Sequence, residues 1–336
     1  MSGSRIEAES FEMALALFVL KRAFYAAALV LAVLVLNFVL IRLAPGDPTE
    51  TLAGQMGGMT EQIRAELRAA YGLDLPVAQQ LGIYIGRVLS GDMGYSYFFN
   101  LPVTSLVLDR LPATILLVGA ALILSVTVGT TIGVLASRKP QGLLSQLITL
   151  ISVVGYSAPV FWTGMLLVIM FASILPILPV SGIRSAAVPQ GALQDALDVG
   201  RHLVLPAVSL GFVQMAQYSR LTRASMLDVL GADYVRTARA KGLSEATVFF
   251  KHALRNAILP IVTIIGLQFG NMLAGAIVVE TVFNWPGLGR LAFDSVLRRD
   301  YPTLLGLLFF SSLLVVVVNQ ITEVVYRAVD PRIKAR

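Results

Sequence analysis

Residues 140–183 read PQGLLSQLITLISVVGYSAPVFWTGMLLVIMFASILPILPVSGI, without one charged side chain. A bilayer core of ~30 Å is crossed by about 20 helical residues, so this run has length for one broken crossing or for two. Its weak point is Gly155-Tyr156-Ser157-Ala158-Pro159. Proline removes a helical hydrogen bond and biases its predecessor away from helix. Five further charge-free runs surround it: Ala23–Ile41, Leu111–Ser137, His202–Ser219, Asn256–Val279 and Tyr301–Thr322. Each suits one crossing, although His202–Ser219 is short and contains Pro206. The number of crossings therefore turns on 140–183.

Charge placement fixes the parity. Arg5, Lys21 and Arg22 precede the first run, and Arg220–Arg255 carries Arg220, Arg223, Arg236, Arg239, Arg255, Lys241 and Lys251. The tail adds Arg327, Arg332, Lys334 and Arg336. Lys and Arg accumulate on the cytoplasmic side of membrane proteins, and all three regions lie inside only if 140–183 crosses an odd number of times. One long span with a break near Pro159 is expected. Six crossings follow, with both termini in the cytoplasm.

Composition agrees. Of 336 residues, 56% are hydrophobic and 14% charged, with a mean hydropathy of +0.77; soluble chains average roughly 25% charged residues. Disorder, a disulfide-rich secreted module and an ordinary soluble enzyme domain are excluded. Cysteine is absent, which removes disulfides, thiolate nucleophiles and Cys-ligated metals. The net charge of +6 belongs to cytoplasmic loops and implies no nucleic acid. The first run reads as a retained helix: it is long for a secretion signal, Glu7, Glu9 and Glu12 precede it, and no A-x-A site follows closely. The expected organisation is a cytoplasmic segment 1–22, a first transmembrane helix 23–41, an extracytoplasmic helical subdomain 42–110, a transmembrane core 111–326 with a cytoplasmic loop 221–255, and a tail 327–336.

Within 42–110, Thr60 is placed to cap a helix over Glu61–Tyr71 that Gly72 stops. A second helix over Val77–Val88 follows Pro76, with Val77, Leu81, Ile85 and Val88 on one stripe. The loop 221–255 holds Ala232-Asp233-Tyr234-Val235-Arg236-Thr237-Ala238-Arg239-Ala240-Lys241-Gly242, helix-prone until Gly242 ends it. Ala238 and Gly242 lie four apart on one face, which lets a partner approach closely, with Arg236, Arg239 and Lys241 around it to meet carboxylates. Leu259-Pro260 opens the next span, where proline fits a first turn. In the outer loop Glu280–Tyr301, Trp285 suits a membrane interface. Gly287-x-Gly289-x-x-Ala292 only mimics a dinucleotide fingerprint, since no strand precedes it.

Catalytic signals are missing. No lysine stands in a G-K-[ST] phosphate loop, and neither G-x-S-x-G nor H-E-x-x-H occurs. His202 and His252 fall on opposite sides of the membrane and cannot share a metal; no cofactor and no metal site are expected. Few ionisable residues lie inside the spans, which disfavours a proton-coupled carrier or a channel. Passage of a solute driven from elsewhere remains. Gln268, Asn271 and Asn319 are polar positions inside spans, readable as path lining or as interhelical hydrogen bonding.

Stretches along the whole chain then carry a resemblance. They include Ala44-Pro45-Gly46-Asp47-Pro48, Tyr71-Gly72-Leu73-Asp74, Gly91-Asp92-Met93-Gly94-Tyr95-Ser96 and Leu111-Pro112-Ala113-Thr114. Pro159-x-Phe161-Trp162, Leu178-Pro179-Val180-Ser181-Gly182 and Asp233–Leu243 follow, the last continuing to His252-Ala253-Leu254-Arg255-Asn256. Pro286-Gly287-Leu288-Gly289-Arg290, Arg299-Asp300-Tyr301-Pro302 and Asp330-Pro331-Arg332-Ile333 complete them. Over roughly residues 20–334 the chain resembles the first permease subunit of bacterial dipeptide, oligopeptide and nickel-type ABC importers.

The resemblance implies an all-α polytopic membrane protein with six transmembrane helices and the type I ABC importer permease fold. It implies residence in the bacterial inner membrane. It also implies four kinds of partner: a homologous second permease, two cytoplasmic ABC ATPase subunits, an extracytoplasmic substrate-binding protein and the surrounding lipid. Asp233, Tyr234, Arg236, Thr237, Ala238, Arg239, Lys241 and Gly242 match the ATPase-coupling loop. Arg236 stands where the general loop has Glu, and Leu254-Arg255 replaces its Leu-Pro, so no salt bridge from that Glu is carried over. The expected function is half of a translocation path for short peptides, nickel chelates, glutathione and opines being the other cargoes of such importers. A self-sufficient secondary transporter is the alternative of a different class.

Overall fold

The computed structural model describes residues 3–43, 60, 62, 74–185 and 191–329. The helix expected over Glu61–Tyr71 lies almost wholly outside these residues. Among the described residues the regular structure is helical, apart from one short ribbon pairing β1 (Tyr95–Ser96) antiparallel to β2 (Leu101–Pro102). Two compact units divide it, Met1–Val107 with Ser295–Val316, and Leu108–Asp294 with Val317–Arg336.

The first unit is built on α1 (Gly3–Leu43), α2 (Val77–Leu89) and the start of the last helix, α10 (Tyr301–Val329). Pro76 opens α2, its carbonyl accepting from the amides of Gln79 and Gln80. The apolar stripe differs from the expected one at its first position: Val77 is exposed and Gln80 is buried instead. The amide of Gln80 survives burial by donating from Nε2 to the Leu75 carbonyl at 2.7 Å. Val88 packs with Leu34 of α1 and Phe309 of α10. Asp300, buried just before α10, accepts from the hydroxyls of Thr303 (2.7 Å) and Ser96 and so ties the ribbon to that helix start.

The second unit contains most of α3 (Val103–Arg138) and the bent pair formed by α4 (Leu143–Ser157) and α5 (Val160–Val168). It also holds α6 (Ala192–Leu230) and α8 (Leu259–Val282). Here α6 is the hub, packing against α4, α5 and α8. Gly129 and Gly133 of α3 let α6 approach: a Cβ at Gly129 would stand 2.7 Å from the Met215 carbonyl oxygen, and one at Gly133 2.5 Å from that of Ser219. Small residues four apart are how membrane helices gain close backbone contact. The run expected to be short is one long helix, with Pro206 inside it and Gly191 and Gly231 as its flanks.

At Ala158-Pro159 the stretch 140–183 bends by 108° between Ser145–Ser157 and Val160–Ile174, the latter ending in a π-helical turn over Ile169–Ile174. Among the described residues, five helices are long and apolar enough to cross a membrane, and the bent pair, taken as one span, makes six. The loops are more helical than expected. Within 221–255, α6 runs on to Leu230, α7 covers Asp233–Ala240, and a π-helix over Thr247–Leu254 leads toward α8, whose first turn holds Pro260. Within Glu280–Tyr301 lies α9 (Leu288–Arg298).

Trp285 is not an interfacial residue. It is fully buried, and its Nε1 donates to the Ala113 carbonyl at 2.8 Å. Beside it, the buried carboxylate of Glu280 accepts from the Thr114 hydroxyl (2.7 Å) and from the amides of Gly289 and Arg290, the latter at 3.0 Å. The Thr114 oxygen also accepts from the Leu288 amide at 2.7 Å. Residues from α3 and α8 thus satisfy the first amides of α9, the donors every helix start leaves open. Gly287 is glycine because a Cβ there would overlap the Glu280 carboxylate, and Gly289 because one would collide with the Ile277 backbone. That accounts for the Gly-x-Gly spacing without any nucleotide.

Candidate functional site

All the sequence-predicted residues but Asn319 fall into two places. Eight surround α7. Its C-terminus is closed by a paired hydrogen-bond stop: the Gly242 amide donates to the Arg239 carbonyl at 2.9 Å and the Leu243 amide to that of Ala238 at 3.4 Å. Gly242 has φ +76°, a left-handed conformation that costs other L-residues roughly 1–2 kcal/mol. Thr237 donates its hydroxyl to the Asp233 carbonyl at 3.0 Å.

Ala238 does not present itself to a partner. It is buried with Val235 against Val248, at the foot of the following π-helix, with Val229 alongside. Close approach at Ala238 is used within the chain, seating α7 on its own neighbours. The outward face instead carries Asp233, Tyr234, Arg236, Thr237, Arg239, Ala240, Lys241 and Gly242. Its charges are unequally committed. Arg239 holds Glu245 through two bonds, Nε–Oε1 at 2.9 Å and Nη2–Oε2 at 3.4 Å. Arg236 touches Asp233 at 3.6 Å, an exposed pair of the kind worth little in water. Lys241 has no ion-pair partner among the described residues. Tyr234 accepts at its hydroxyl from Asn256 Nδ2 (3.0 Å), which links α7 to the approach to α8.

The second place lies between α6 and α8. Gln268 and Asn271 come together, and the structure adds Gln214 and Gln217, which the sequence reading passed over. Their spacing of three residues, putting two amides on one helix face, was the available signal. Gln268 Oε1 accepts from Gln214 Nε2 (2.9 Å) and Asn271 Nδ2 (3.1 Å), while Gln268 Nε2 donates to Gln217 Oε1 (2.8 Å). Asn319 stands apart, exposed on α10 and outside this ladder. Among the described residues, no group of His, Asp or Glu side chains is arranged to hold a metal ion.

Residues 129–335 match the family described as binding-protein-dependent transport system inner membrane component, and residues 15–118 match its N-terminal counterpart. The chain belongs to this family. As an importer permease component it is 39% identical over 334 residues to the dipeptide transport system permease protein DppB of Escherichia coli K12, covering 94% of this chain and 98% of that protein. It is 40% identical to the di/tripeptide permease protein DppB of Pseudomonas aeruginosa (90% and 94% covered) and 37% identical to the oligopeptide permease protein AppB of Bacillus subtilis (95% and 100%). Among solved structures, a chain of the MetNI methionine ABC transporter in an inward-facing conformation superposes with a TM-score of 0.53 at 16% identity, covering 67% of this chain and 96% of that one. The fold is that of ABC importer permeases, and the protein is a multi-pass component of the inner membrane.

Proposed function

We propose that this permease forms half of a path for short peptides, opened and closed by ATPases that grip α7 from the cytoplasm. The observation that carries the reading is the outward face of α7: a basic, solvent-facing surface on a helix whose inner face is fixed by Val235 and Ala238 and whose end is set by Gly242. The peptide cargo is supported by relatives named for dipeptides, di/tripeptides and oligopeptides. The subunit has no phosphate loop in its sequence and hydrolyses no ATP itself. A second permease, two ATPases and an extracytoplasmic binding protein complete the machine. ATP-driven closure of the ATPases pulls α7, and because α7 is packed on the segments leading from α6 and into α8, the spans move with it.

Ala240 is exposed on α7, and the natural chain is free of cysteine, so Ala240→Cys is a clean reporter. An impermeant maleimide should label it in inverted vesicles but not in intact cells, and bound ATPases should suppress that labelling about tenfold. Labelling in intact cells overturns the topology. Labelling indifferent to the ATPases overturns the docking surface.

A further inference from the structure

The ladder between α6 and α8, we propose, reads the main chain of the transported peptide. Gln268 is at the middle of the charge-free run Asn256–Val279, where polar groups unpaired against lipid are costly. A carboxamide carries two N–H donors and one oxygen with two lone pairs. The oxygen of Gln268 is saturated by Gln214 and Asn271, and its nitrogen serves Gln217. The groups left over are at the ends: Gln214 Oε1 and Asn271 Oδ1 as acceptors, and Gln217 Nε2 as donor. None of these atoms has a bond among the described residues. Gln214 and Gln217 are half-buried and Asn271 is exposed, so the loose ends open outward from the helix pair.

Those ends are complementary to a peptide bond. Its carbonyl takes a proton donor from Gln217, and its N–H finds an acceptor in Asn271 or Gln214. Four neutral amides exert no net Coulomb pull on a zwitterion and address no side chain. A site of this chemistry accepts peptides of many sequences and holds each weakly enough to release it.

This inference rests on the peptide reading above, and the test separates the two. The complete importer, with both permeases, both ATPases and its binding protein, is placed in liposomes and given labelled dialanine or dialanine methylated at its peptide nitrogen. The binding protein's own preference is common to every sample and cancels in the comparison. Asn271→Ala and Gln214→Met, which remove the acceptors for that N–H, should together reduce the parent's preference for dialanine over its methylated form by about five-fold, the worth of one net hydrogen bond, and each alone by a smaller factor. Asn271 is exposed and Gln214→Met conserves length, so one variant carries the test if the other fails to assemble. Equal loss of both uptakes would show the ladder to be interhelical glue or a contact with the second permease, and an unchanged preference would equally overturn it. A parent importer that hydrolyses ATP in response to its binding protein yet moves no dialanine overturns the peptide reading itself.

Discussion

The segment between α6 and α8 and the segment between α8 and α10 each hold a short helix between two spans, with opposite chemistry. Around α7 the charges point outward and the inner face is alanine and valine: Val235, Ala238 and Val248. Around α9 a carboxyl group is inside, while Arg290, Asp294 and Arg298 remain at the surface. Glu280 is buried with Thr114 and the first amides of α9 bound to it, and Arg110 supplies a positive charge nearby. The outward residues of α9 include Phe293, Val296 and Leu297, all exposed apolar side chains. A helix fastened by a few small apolar contacts with exposed charges outside suits a joint that engages and releases a polar partner. A helix fastened by a buried carboxylate is a fixture.

The largest effect that tests this contrast is at Glu280. Glu280→Ala leaves the Thr114 hydroxyl and the amides of Gly289 and Arg290 without their acceptor in a dry site. Each donor left without an acceptor in a buried site costs about 1–3 kcal/mol, and a loss of about 3 kcal/mol or more is expected from the set. Thermal unfolding of the detergent-solubilised subunit should show it as a clear fall in Tm and in yield, with Glu280→Gln intermediate. A Tm within a degree of the parent would mean that α9 is held by its apolar contacts, and the contrast would collapse.

Next in size is Gly242→Val. At φ +76° the β-branched residue costs roughly 1–2 kcal/mol, enough to undo the end of an eight-residue helix and little beyond it. Thermal stability of the spans should stay near the parent value, while co-purification of the ATPases and peptide uptake fall by about tenfold. Gly242→Asn, which tolerates the left-handed region, should recover most of both. Equal behaviour of the two variants would remove the helix stop as the cause.

How far these arrangements were legible follows the range of the interactions. The spans were read from local hydropathy, and the stop at Gly242 from a residue type that serves one backbone conformation. Inward and outward faces of α7 were not readable, because in eight residues Ala238 fits either side and only contact with Val248 decides. Trp285 was misplaced for a similar reason: aromatic residues near a span end favour the interface on average, but the carbonyl of Ala113, far away in sequence, claimed its N–H. Gly129-x-x-x-Gly133 was visible and passed over. The role of Glu280 was hidden, since a carboxylate ending a charge-free run reads as the boundary of a span until Thr114 and α9 are brought to it. Gln214 and Gln217 acquired meaning only when α8 supplied Gln268.

The smallest expected effect is Tyr234→Phe, and it is informative because a matched change elsewhere is large. Both Tyr234→Phe and Trp285→Phe delete a single side-chain hydrogen bond. Tyr234 is 45% exposed, so water replaces its hydroxyl as the acceptor for Asn256, which keeps its second bond to the His252 carbonyl. The expected cost is about 0.5 kcal/mol or less, at the low end for a hydrogen bond whose partner stays solvated. Trp285→Phe takes the indole donor from the Ala113 carbonyl, which keeps its place in the helical ladder of α3, and leaves space where the indole was in a fully buried site, so about 2 kcal/mol or more is expected, most of it from the lost volume. Hydrogen exchange at the two segments gives a direct comparison: protection of the α7 amides should be nearly unchanged by Tyr234→Phe, while Trp285→Phe should lower protection across the first turn of α9. If the two substitutions weaken their segments equally, burial is not what separates the joint from the fixture, and exposed charge alone must account for the docking role proposed for α7.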